Sequence, residues 1–189
     1  MDTHDHCNCT HAHGENHSGT RRNFLTRATL AAGVALLGTV SQSRPALAGG
    51  HTDILLLTCM DFRLMDSVEQ YMAGRGLTHK YDHIVLAGAS LGALTDKYPA
   101  WNRTFWDHLA VAIQLHDVQK VVVMDHRDCG AYKAILGEDL APDPVREAAV
   151  HRDHLERLAA AIKDKHPGLG IETLLMALDG SVEALGNFA

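Results

Sequence analysis

The sequence has no surplus of positive charge: 17 Lys and Arg stand against 23 Asp and Glu, a formal net charge of −6. Nucleic-acid binding leaves a basic footprint, so that class of partner is set aside. A membrane-spanning helix needs about 20 consecutive apolar residues. The apolar run from Ala28 to Val40 is too short for one. The chain has no internal repeat, and only 4 cysteines among 189 residues. What remains is an ordinary globular composition, 46% hydrophobic and 21% charged, enough to bury one core. The abundant residue is histidine, with 14.

Histidine concentrates at the start. His4, His6, Cys7, Cys9, His11, His13 and His17 fall in the first 20 residues, where no apolar period exists, so disorder is expected. Such a head can bind soft or borderline metals, or be a solvated leader with incidental affinity. Next come Arg21-Arg22, Phe24-Leu25, the short apolar run and the small-residue segment Ala46-Leu47-Ala48-Gly49. That order of charged, apolar and small-residue regions reads as an export signal, and the arginine pair resembles the twin-arginine type. The alternative is a membrane anchor or buried helix. The expected division is a leader and signal over 1–48 and a single domain over 49–189. Cleavage would leave a periplasmic protein with no stable membrane span.

From Asp53 onward, strand and helix patterns alternate. Asp53–Thr58 is apolar throughout after its first residue, as for a strand buried on both faces. Met65, Val68 and Met72 share a helical face that Gly74 and Gly76 end. His83–Ala87 reads as a second strand entering a small-residue loop, Gly88–Ala93. Trp101, Phe105, Leu109, Ala112 and Ile113 form a helical stripe. Lys120–Met124 is the third strand. Asp143-Pro144 is a helix start, and that helix should carry Val145, Ala148, Leu155, Leu158 and Ile162 inward. Ile171–Leu178 is a fourth strand, Asp179-Gly180 a turn, and Ser181–Leu185 a candidate short antiparallel edge. The alternation predicts an α/β fold, a mostly parallel sheet of about four strands flanked by helices.

Two strand ends carry metal-ligand chemistry. Cys59 ends the first, and His126 and Cys129 follow the third. Ligands gather beyond the carboxyl ends of parallel strands. Two thiolates and a neutral imidazole suit tetrahedral zinc with its fourth position open to solvent. Their charges offset those of the ion. Taken singly, each cysteine reads as a small buried hydrophobe. In an oxidising compartment the two can instead form a disulfide. A cysteine phosphatase is disfavoured, because neither cysteine opens a phosphate-cradling loop that ends in arginine.

Cys59-Met60-Asp61-Phe62-Arg63 and His126-Arg127-Asp128-Cys129-Gly130 resemble the Cys-x-Asp-x-Arg and His-x-x-Cys-Gly motifs of the β-class carbonic anhydrases. The likeness runs from about Asp53 to Leu185. It implies Zn2+ on Cys59, His126 and Cys129, with Asp61 and Arg63 as a catalytic pair. Arg63 can hold Asp61 by charge-assisted hydrogen bonds. Asp61 then orients the zinc-bound water or, released, becomes a fourth ligand. The implied reaction is reversible hydration of carbon dioxide to bicarbonate and a proton by zinc-bound hydroxide. It also implies a homodimer or larger assembly. His79, His83 and His108 are candidate proton shuttles, though each also reads as an ordinary surface histidine.

Departures from the family pattern are visible. Its Arg-Asn-Ala-Gly-like segment after strand two is Leu86-Ala87-Gly88-Ala89-Ser90 here, without arginine or asparagine, and Arg127 stands where a serine is frequent. Little chain separates the expected cleavage site from the first strand, so the family's N-terminal helical arm is not expected. Two other functions fit the same ligands: hydrolysis of carbon disulfide or carbonyl sulfide, and zinc binding without turnover for storage, sensing or partner binding.

Overall fold

The computed structural model describes residues 50–188. The His/Cys-rich head, the twin-arginine pair and the cleavage segment lie outside the described residues. Strand β1, Ile54–Thr58, is buried at every position, and β3, Lys120–His126, is buried from Val121 onward. With β2 (Tyr81–Val85), β4 (Gly170–Met176) and β5 (Val182–Phe188) they form one sheet in the order β2-β1-β3-β4-β5. The first four strands are parallel, and β5 returns antiparallel to β4. The fold is α/β and mostly parallel, as expected. The edge expected at Ser181–Leu185 is longer, a full strand of 7 residues.

Alternate side chains leave a strand on opposite faces, which accounts for the unbroken apolar runs. On one face Leu55, Leu57, Val121 and Val123 pack with helix α3 (Pro99–His116) through Phe105 and Leu109, and with helix α5 (Pro144–Lys165) through Leu155, Leu158 and Ile162. On the other, Ile54, Leu56, Val122, Met124 and Leu174 meet Val68 and Met72 of α1 (Met65–Gly74). Each such side chain contributes about 1.5–3 kcal/mol by leaving water. The α5 start is built as its sequence requires. Pro144 takes the first turn, and the Asp143 carboxylate accepts hydrogen bonds from the N–H groups of Val145 and Arg146, at 3.2 and 3.0 Å.

Three sequence expectations need correcting. Strand β2 starts at Tyr81 and ends at Val85, two residues before Ala87. The small-residue loop contains a short helix, α2 (Ala89–Leu94), packed so closely that a Cβ at Gly92 would run into the carbonyl oxygen of Ala87. Val145 does not point inward. It is 82% exposed, because the first turn of α5 presents Glu147 to the interior instead. A further short helix, α4 (Gly130–Leu136), follows Cys129 directly. Among the described residues no helix is long and apolar enough to cross a membrane.

Candidate metal centre

Strands β1 and β3 are adjacent, with Thr58 opposite Met124, so the residues just beyond them meet. Cys59 follows β1, His126 is the last residue of β3, and Cys129 caps the start of α4. All three are buried, and their ligand atoms lie within 4.8 Å of one another. The turn that brings two ligands from one strand end to a common point is tight, with Asp128 in the left-handed region at φ 53°. Both cysteines are free thiols, with sulfurs 3.9 Å apart. Two sulfurs bound at about 2.3 Å to a tetrahedral ion stand about 3.8 Å apart, so the spacing fits zinc.

The imidazole is prepared in the same way. His126 Nδ1 donates to the carbonyl oxygen of Arg127 at 2.9 Å, which leaves a lone pair on Nε2. Nε2 is buried with no hydrogen-bond partner, a costly state for a ring nitrogen unless something binds there. The backbone N–H of Gly88 donates to Cys59 Sγ at 3.3 Å. The hydrogen bond from Cys129 holds the Cys59 thiol well below its ordinary range, while burial opposes and His126 assists. The same sharing pushes Cys129 up. Burial alone would lower His126, but the Cys59 sulfur close by and the charge there raise it overall. A divalent ion would displace these shared protons.

Asp61 sits at the mouth, with Oδ2 3.8 Å from His126 Nε2. Arg63 grips it three times: N–H and Nε–H donate to Oδ1 at 3.0 and 2.9 Å, and Nη2 donates to Oδ2 at 2.8 Å. The Arg63 hydrogen bonds pull the Asp61 carboxyl down to about 2. Arg63 also reaches the ligand turn, donating to Asp128 Oδ2 at 2.8 Å and to the Asp128 carbonyl at 2.9 Å.

None of the three shuttle candidates lines the cavity that Cys59 and His126 share, and only His83 is bonded to a residue that does, Thr58. His79 is exposed, and His108 is bonded to the Thr104 carbonyl of its own helix at 2.8 Å. His83 is hydrogen-bonded to Thr58 Oγ1 at 2.7 Å, and with His108 it lines a separate cavity of about 230 Å³ against α3.

Sequence reading missed a buried polar layer behind the ligands. Asp125, 1% exposed, accepts hydrogen bonds from Ser90 N–H (3.0 Å), Ser90 Oγ (2.6 Å), the Tyr132 hydroxyl (2.6 Å) and His151 Nδ1 (2.9 Å). Burial would raise Asp125, but His151 and the two hydroxyls outweigh it and hold the carboxyl below its ordinary value. These bonds fix the Gly88–Ser90 turn that aims an N–H at Cys59. The available signal was an acidic residue inside an apolar strand run.

A family model described as "Putative carbonic anhydrase" matches residues 50–185. The chain belongs to this carbonic anhydrase family. Its two motifs resemble those of the β class. An uncharacterized protein of Rickettsia conorii is 40% identical over 131 residues, covering 69% of this chain and 70% of the relative. One from Rickettsia bellii is 37% identical over 131 residues, covering 69% and 80%. Among solved structures, β-carbonic anhydrase isoform I of Trichomonas vaginalis is 20% identical, with a TM-score of 0.46, covering 74% of this chain and 85% of that one. The Coccomyxa β-carbonic anhydrase in complex with acetazolamide is 13% identical, with a TM-score of 0.49 and 76% of each chain covered.

Proposed function

We propose that the protein hydrates carbon dioxide reversibly to bicarbonate and a proton, with zinc held by Cys59, His126 and Cys129. The observation that carries this reading is the convergence of three buried ligand atoms within 4.8 Å, one of them an unpartnered ring nitrogen. A bound zinc ion supplies the Lewis acidity that makes water nucleophilic near neutral pH, carbonic anhydrase being the standard example. Two thiolates balance that charge. Asp61 Oδ2, ionised through Arg63, is an acceptor that orients the attacking water. Leu64, Val68, Met124 and Met176, with Thr58, wall a small cavity shared with Cys59 and His126, a mostly apolar setting suited to an uncharged substrate. Export to the periplasm under the twin-arginine-like pair belongs to the same proposal. So does assembly into a homodimer or larger, supported by Met60 and Phe62, which flank Asp61 in sequence and are 62% and 86% exposed.

Zinc binding without turnover is the second reading. It is favoured by the size of that cavity, about 10 Å³, and by Leu86-Ala87 in place of the family's Arg-Asn. Metal analysis with stopped-flow hydration of carbon dioxide separates the two. The expected result is one zinc per chain and a rate well above buffer, both lost in Cys59→Ala. One zinc with no rate above buffer selects the second reading. Full metal in Cys59→Ala removes both.

A further inference from the structure

We propose that Glu147 of α5 is a positioning residue for the metal centre, acting on His126 through a single peptide group. The inference rests on zinc binding as read above. The peptide joining Arg127 to Asp128 is engaged at both ends. Its carbonyl oxygen accepts the His126 Nδ1 proton at 2.9 Å, and its N–H donates to Glu147 Oε1 at 2.6 Å. Hydrogen bonds in such a chain polarise one another. A carboxylate on the N–H makes the carbonyl a stronger acceptor, which makes the imidazole a better donor of its Nε2 lone pair. Partners behind a ligating histidine commonly work in this way.

Glu147 also sets the shape of the ligand turn. It is 3% exposed, and its second oxygen accepts from Arg127 Nη1 at 3.2 Å. It thus holds both residues between His126 and Cys129. One of them, Asp128, is in the left-handed region, which a residue other than glycine adopts at some cost. The next peptide carries the Asp128 carbonyl that receives Arg63 Nη2. One side chain on α5 therefore fixes the turn that orients a metal ligand and receives the arginine gripping Asp61.

Two substitutions separate reach from charge. Glu147→Gln keeps an acceptor at the same distance and loses the charge. Glu147→Asp keeps the charge and falls about 1.5 Å short. The probe is zinc alone. Release to a colorimetric chelator is timed well below the melting temperature, beside the thermal stability of the metal-free proteins. Changes behind a metal ligand cost roughly 10–100-fold in affinity or activity. Glu147→Asp should release zinc about 10-fold faster or more. Glu147→Gln should restore most of the retention, within roughly 3-fold of wild type, because a neutral acceptor keeps about half the strength of a charged one. Release at the wild-type rate in both variants overturns the proposal. So does equal acceleration in both that tracks their loss of metal-free stability, which is what simple packing predicts. Release needs no turnover, so wild type that holds zinc but hydrates nothing overturns only the reaction. Wild type that holds no zinc overturns both.

Discussion

Replacing Asp61 by asparagine changes one oxygen to a nitrogen, and the surroundings decide which one. Oδ1 receives two donors from Arg63, its N–H and Nε–H, so the asparagine carbonyl must stay there. The amide nitrogen then takes the place of Oδ2, facing Arg63 Nη2 donor to donor and turning an N–H toward the metal position. The Asp61 carboxyl lies at about 2 instead of 3.8. At 1.36 kcal/mol per unit, that difference sets a ceiling of about 2.5 kcal/mol. The Arg63 side chain is 34% exposed, and solvent screening reduces the figure to about 1–2 kcal/mol. The folded state favours the ionised form, so this stability is complete above the unfolded value near 4. It is lost as pH falls toward 2. Urea unfolding should therefore show wild type ahead of Asp61→Asn by about 1–2 kcal/mol at pH 7, with the gap narrowing below pH ~4. Zinc content should stay near one per chain. Hydration should fall roughly 10–100-fold, because the acceptor that orients water has become a donor. Equal stability at pH 7 refutes the electrostatic reasoning, and an unchanged hydration rate refutes the role of Asp61 as an acceptor.

Asp125→Ala removes a buried carboxylate with its four hydrogen bonds, leaving the Ser90 N–H and His151 Nδ1 without that acceptor and the Ser90 and Tyr132 hydroxyls only each other at 3.0 Å, so urea unfolding should show a loss of about 3–5 kcal/mol. Gly92→Ala forces a methyl against the Ala87 carbonyl, which is backbone and cannot swing aside; a thermal melt should register about 2–3 kcal/mol.

The sheet was legible because β1 and β3 are apolar at consecutive positions, and the α5 start because Asp143-Pro144 is both cap and first turn. The clustering of Cys59, His126 and Cys129 was legible because soft donors stand at the ends of two strands that the α/β pattern makes neighbours. Helix α2 was hidden by its length of six residues, all but Leu91 and Leu94 small, too short for a hydrophobic period to emerge. The inward face of α5 was misread for a different reason. Its true stripe runs Glu147, His151, Leu155, Leu158 and Ile162, at helical spacing throughout, but it begins with two polar residues. A reading keyed to hydrophobicity takes Val145 for the first of them and passes over Glu147.

That switch of character along one helix face bears on why the polar layer exists. Among the described residues the buried carboxylates are Asp125 and Glu147. Both lie at the carboxyl ends of the strands, behind the ligand turn. The carboxylates at the other end are cheaper to keep: Glu172, paired with Arg75 and Lys120 at 2.9 and 2.8 Å, retains some contact with water. Burying an ionised carboxylate costs several kcal/mol before its hydrogen bonds are counted, and apolar residues of similar size commonly serve stability as well or better. A core shaped by stability alone would continue the leucine and isoleucine stripe of α5 to its first turn. It instead ends in two polar side chains at the point where the helix passes His126 and Cys129. Each holds a backbone or side-chain group that in turn holds a ligand, or the donor to one, so the cost falls where geometry to a fraction of an ångström governs chemistry.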